Sequence, residues 1–134
     1  MKISFKPKIM KILIVKFSAA GDVLRTTALL HGIKRKWPES EVWWITSQDA
    51  VDLLKHNDFI NTLLVYGSKD AVCLDGSTFD LLICLDKERE STALASRLKA
   101  GKKIGFGGNS SGDLRIFNKE SEYAYLLGGV GRHS

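Results

Sequence analysis

The chain has 134 residues, 44% of them hydrophobic and 26% charged, which fits one soluble domain with its own core and leaves no room for a second. No apolar run is long enough to span a bilayer. The formal charge of +5 falls to +2 from Met10 onward once Lys2, Lys6 and Lys8 are set aside, too small an excess for a surface that neutralises nucleic-acid phosphates.

Residues 1–9 combine those lysines with Pro7 and follow neither a helical nor a strand period, so they are expected to be a flexible extension outside the fold. They lack the apolar segment and small-residue cleavage site of a secretory signal, which makes the cytoplasm the expected compartment. Residues 11–17 (KILIVKF) form a nearly continuous apolar run, the pattern of a strand buried on both faces of a parallel sheet. Residues 18–21 (SAAG) break it. From Asp22 the period changes: Val23, Thr26, Leu30, Ile33 and Trp37 share one helical stripe, Lys34, Arg35 and Lys36 suit the carboxyl end of a helix dipole, and Pro38 stops the helix.

Residues 41–46 (EVWWIT) make a second strand, in which Trp43 and Trp44 face opposite sides and read as core packing rather than ligand stacking. Ser47 is expected to cap a short helix running to about Lys55, and residues 61–66 (NTLLVY) make a third strand. Residues 80–85 (DLLICL) make a fourth. A helix is expected over residues 88–100, with Leu94 and Leu98 one turn apart and Gly101 as its left-handed cap, followed by a fifth strand at residues 102–106 (KKIGF). This alternation predicts parallel pairing through right-handed crossovers: a Rossmann-like α/β sheet with the first strand central and helices on both faces. Residues 107–112 are turn-rich, a helix is expected near residues 121–127, and residues 128–134 (GGVGRHS) have no period. The domain is therefore assigned to residues 10–127 and an irregular tail to 128–134, where the chain reads as cut off rather than completed.

In an open parallel sheet, ligands gather beyond the carboxyl ends of the strands, so the loops after the first and fourth strands carry the candidate site. The first offers Ser18, Gly21 and Asp22, the second Asp86 and Lys87. Small residues let backbone N–H groups approach a ligand closely, and a carboxylate can take a proton from a bound hydroxyl. Each has a plainer reading: Asp22 as a helix cap, Asp86 as a turn residue, Lys87 as a solvated surface cation.

Other chemistry lacks support. Cys73 and Cys84 form no C-x-x-C pair and read as reduced thiols, Cys84 in the core, while His31, His56 and His133 have no metal-ligand spacing. Residues 105–110 (GFGGNS) half-imitate a dinucleotide fingerprint but lack its third glycine and its helix, and no phosphate-binding G-x-x-x-x-G-K-[ST] occurs. Asn109-Ser110-Ser111 is a chance glycosylation match in a chain without a signal peptide. A phospho-receiver domain would need an acidic pair after the first strand, where only Asp22 stands, and an aspartate after the third, where Gly67-Ser68-Lys69 follows.

From Met10 the run KILIVKFSAAGDVLRTTALLHGIKRKWP resembles the amino terminus of glycosyltransferase family 9, the ADP-heptose:lipopolysaccharide heptosyltransferases, which open with a strand, a small-residue loop and a helix of the form G-D-x-L-x-T-x-x-L. Here these are Gly21, Asp22, Leu24, Thr26 and Leu29, with Ala28 where the family often has proline. The likeness continues through EVWWIT and FDLLICLDKERESTALASRLKAGKKIGFG. The resemblance implies the amino-terminal half of a GT-B enzyme, in which two Rossmann-like halves flank a cleft and the acceptor sits mainly on the first. It implies Asp22 as the general base toward the acceptor hydroxyl, with Ser18 and Gly21 shaping the loop and Asp86 and Lys87 lining the acceptor side. It also implies a nucleotide-sugar donor, a lipopolysaccharide-core acceptor, no metal or other cofactor, and at most peripheral contact with the cytoplasmic face of the inner membrane. Without its donor half the chain is expected to be inactive alone. The competing expectation is a non-catalytic Rossmann-like binding module, or the remnant of a truncated gene.

Overall fold

The computed structural model describes residues 9–17, 23–108 and 114–116. Five strands pair in parallel: β1 (Lys11–Val15), β2 (Glu41–Thr46), β3 (Thr62–Val65), β4 (Thr78–Cys84) and β5 (Lys99–Gly108). Their order is β3-β2-β1-β4-β5, with the first strand central as the alternation predicted. A short sixth strand, β6 (Leu114–Ile116), adds to β5 in antiparallel fashion, just past the turn-rich residues 107–112, where the sequence reading assigned no element. The helices are α1 (Val23–Lys36), α2 (Val51–Leu54) and α3 (Arg89–Arg97).

Alternation along each strand divides the core into two layers. Ile12, Ile14, Val42, Trp44, Leu81 and Ile83 pack with Leu29, Leu30 and Ile33 of α1 and Leu54 of α2. Leu13, Val15, Ile45, Leu82 and Cys84 pack on the other face with Leu94 and Ala95 of α3 and with Leu74. Helices therefore cover both faces, which is why β1 and β4 are apolar at consecutive positions instead of alternating. Trp43 and Trp44 do face opposite ways: Trp44 is fully buried and donates its indole N–H to the Lys16 carbonyl at 3.1 Å, while Trp43 donates to Glu41 at 2.6 Å. Neither Cys73 nor Cys84 is in a disulfide, and Cys84 is buried.

Several local expectations are corrected. The helix expected to reach Ala100 ends at Arg97, and Gly101 lies inside β5, not at a left-handed cap. The reason is register: β4 begins at Thr78, two residues before the apolar run, and Lys99 pairs with Thr78, so the chain must already be extended there. Leu98 still reaches the core, but from extended backbone rather than from a helical turn. Ser47 does precede the next helical segment, a 3-10 turn over Gln48–Ala50 that leads into α2, yet its hydroxyl accepts no N–H of that segment and instead donates to the Phe17 carbonyl at 2.7 Å. A 3-10 helix at Asp70–Gly76 had no periodic signal, because only Leu74 in it is buried.

The core starts at Met10, whose side chain packs on the first layer and whose carbonyl accepts the Glu41 N–H at 2.7 Å, whereas Ile9 is exposed. The expectations for residues 1–8, for a helix near 121–127 and for a tail at 128–134 lie outside the described residues.

Candidate functional site at the carboxyl edge of the sheet

Strands β1 and β4 are neighbours, but the chain leaves β1 toward α1 on one face and leaves β4 toward α3 on the other. That divergence is a topological switch point, the place where open α/β sheets bind ligands. The carboxyl ends of the two strands are tied together by one side chain. Asp86, 7% exposed, accepts the Phe17 backbone N–H at 2.6 Å and the Ser91 hydroxyl at 3.0 Å through Oδ2, while its Oδ1 lies 3.5 Å from the Lys16 ammonium. A buried carboxylate is tolerable only with such partners, and these link the end of β1 to the first turn of α3.

Phe17 is held from its other side as well. Its carbonyl accepts the Ser47 N–H at 3.0 Å, the Thr46 hydroxyl at 2.9 Å and the Ser47 hydroxyl at 2.7 Å. Lys16 is fastened similarly, donating its N–H to Ile45 at 3.2 Å and accepting from Trp44 through its carbonyl. The residue that launches the loop after β1 is thus fixed to both neighbouring strands. Residues 18–22 connect it to α1 at Val23; Ser18, Gly21 and Asp22 lie outside the described residues. Lys87, next to Asp86, is exposed.

Lys16 was the residue missed from the sequence. The signal was present, because a lysine interrupts an otherwise apolar run one position before the strand ends, and a buried lysine requires an acidic partner. What the sequence could not supply was the partner's identity, 70 positions away. Among the described residues no group of three or more His, Cys, Asp or Glu side chains could hold a metal ion, and no helix is long and apolar enough to cross a membrane.

Known proteins supply the context for this crevice. No protein-family model matches the chain. The lipopolysaccharide core heptosyltransferase OpsX of Haemophilus influenzae is 30% identical over 102 residues, covering 70% of this chain, and lipopolysaccharide heptosyltransferase 1 of Campylobacter coli is 26% identical over 113 residues, covering 75%. Among solved structures, the Escherichia coli heptosyltransferase WaaC with ADP superposes with a TM-score of 0.61 at 25% identity over 72% of the chain. Over this stretch the chain is a homologue of the lipopolysaccharide heptosyltransferases. The family 9 glycosyl transferase of Veillonella parvula has the same fold, with a TM-score of 0.62 at 19% identity over 78% of the chain. The chain spans about a third of the length of these relatives: 29% and 32% of the two curated proteins and 34% of each solved chain.

Proposed function

We propose that the chain is the amino-terminal, acceptor-side part of a GT-B heptosyltransferase, which moves a sugar from a nucleotide-sugar of the ADP-heptose type to a lipopolysaccharide-core acceptor. The observation that carries this reading is the pinning of Phe17 between Asp86 and the end of β2, because a catalytic group on the next five residues needs a fixed base. Asp22 is the general base. As the acceptor hydroxyl oxygen attacks the anomeric carbon, the bond from that carbon to the nucleotide diphosphate breaks, and Asp22 takes the hydroxyl proton.

Ser18 and Gly21 shape the loop under the reacting centre. Asp86 holds that loop's origin, and Lys87 offers an exposed cation on the acceptor side. The diphosphate is met by protein groups of a donor-binding half, so no metal or cofactor is required of these residues. The site works at the cytoplasmic face of the inner membrane, with peripheral contact only. The 134 residues by themselves are expected to transfer no sugar, and calorimetry should detect no tight binding of an ADP-sugar to them; tight binding would reject the division of labour.

The decisive test is a pair of substitutions in a form that carries both halves. Asp22→Asn should lower turnover by about 100-fold or more with an unchanged thermal midpoint, since asparagine still caps a helix but takes no proton at neutral pH. Asp22→Ala should lose the same activity and about 1 kcal/mol of stability besides. Near-normal turnover of Asp22→Asn would remove Asp22 from the mechanism.

A further inference from the structure

Directly after the third strand stands an aromatic residue that the core does not consume. Tyr66 donates its N–H to the Thr46 carbonyl at 2.8 Å, continuing the ladder, and then the chain turns: the Ser68 N–H returns to the Val65 carbonyl at 3.0 Å. Gly67 occupies the third position of this turn with φ +86, the conformation a type II turn demands there. An added Cβ at Gly67 would meet nothing within 4 Å, so glycine is needed for its backbone and not for space. The turn sets the Tyr66 ring against Phe17, with centroids 4.6 Å apart and planes tilted by 34°. Phe17 is 7% exposed, but Tyr66 remains 42% exposed. A large aromatic ring is therefore held firmly on one side and open to solvent on the other, at the same edge of the sheet as the loop that carries Asp22.

We infer that Tyr66 is a sugar-stacking platform for the acceptor, holding the ring next to the one whose hydroxyl reacts. The inference rests on the acceptor-side reading above. The Tyr66 ring lies on Phe17, the last described residue before the loop that leads to Asp22, so a sugar stacked on it adjoins the origin of that loop. A pyranose presents an apolar C–H face to an aromatic ring and its hydroxyls elsewhere, so an amphipathic tyrosine matches it better than an aliphatic side chain would. Phe17 beneath the ring fixes its plane before the ligand arrives, which lowers the ordering cost of binding. The same packing joins the platform mechanically to the residue that starts the catalytic loop.

The experiment is titration of the chain with lipid-free lipopolysaccharide-core oligosaccharide, followed by saturation-transfer NMR and by tyrosine fluorescence. Tyr66→Ala should weaken binding about tenfold, and Tyr66→Phe should restore most of it, because the ring face and not the hydroxyl makes the contact. Thermal midpoints of both variants, measured alongside, separate a lost ligand contact from a lost cover over Phe17. Binding that survives Tyr66→Ala unchanged overturns this inference and leaves the acceptor-side reading standing. Failure of the unsubstituted chain to bind the oligosaccharide overturns both.

Discussion

Strand β1 is tied to β4 by an aspartate at each end, and the two ties differ. At the amino edge Asp80 accepts the Lys11 N–H at 2.9 Å in a half-buried setting, and the Lys11 ammonium lies over the Trp43 and Phe79 rings, 4.4 and 5.1 Å from their centroids. At the carboxyl edge Asp86 accepts the Phe17 N–H, and the Lys16 ammonium lies beside the carboxylate itself, all of it buried. Glycines on β5 repeat the contrast. A Cβ on Gly101 would stand 3.2 Å from the Asp80 carbonyl oxygen, whereas one on Gly105, at φ +100, would stand 2.0 Å from that of Cys84. The tie at the amino edge is half-buried, whereas the tie at the carboxyl edge is buried, and that is where a site needing fixed geometry belongs.

The contrast can be broken by measuring urea unfolding of single substitutions. Gly105→Ala should have the largest effect, costing at least about 3 kcal/mol, because the new methyl group collides with backbone and the residue must hold a left-handed φ. A loss under about 1 kcal/mol would mean that the carboxyl edge yields after all. Asp86→Ala should follow closely at about 3 kcal/mol, since it takes the acceptor from a buried N–H and a carboxylate partner from a buried lysine at once. Asp86→Asn should cost less, because an amide oxygen still accepts from Phe17; equal losses would assign the whole effect to the charge.

Smaller effects are expected at the other end. Asp80→Ala should cost about 1 kcal/mol, as water can replace the acceptor of a half-buried N–H. A loss matching that of Asp86→Ala would erase the distinction between the edges. Gly101→Ala should change stability by no more than about 0.5 kcal/mol: its φ is ordinary, and a few tenths of an ångström relieve the contact with Asp80.

Parts of this are legible in the sequence. The apolar runs at 11–17, 41–46 and 80–85 are readable as buried strands because burial on both faces leaves successive apolar residues, with polar ones confined to positions near the ends. The segment Asp70–Gly76 was not, because a 3-10 helix with one buried residue has no period to detect. Asp86 was picked out by its place after an apolar strand, yet its environment was invisible: a turn aspartate and a buried brace look identical until the strand 70 residues earlier is set beside it. Tyr66 was read as the last residue of a strand, and nothing local distinguishes an edge residue that is covered from one that stays open.

The sequence by itself determined the class of fold, the central place of the first strand and the likeness to heptosyltransferases, since each depends on patterns within short windows: apolar runs, helical stripes and the Gly21-Asp22 loop between them. Only the tertiary structure decided where α3 stops, which lysine is buried and what Asp86 holds. Those outcomes are set by register between strands far apart in the chain, and a hydrogen bond across 69 positions leaves no trace in the spacing of either partner's neighbours.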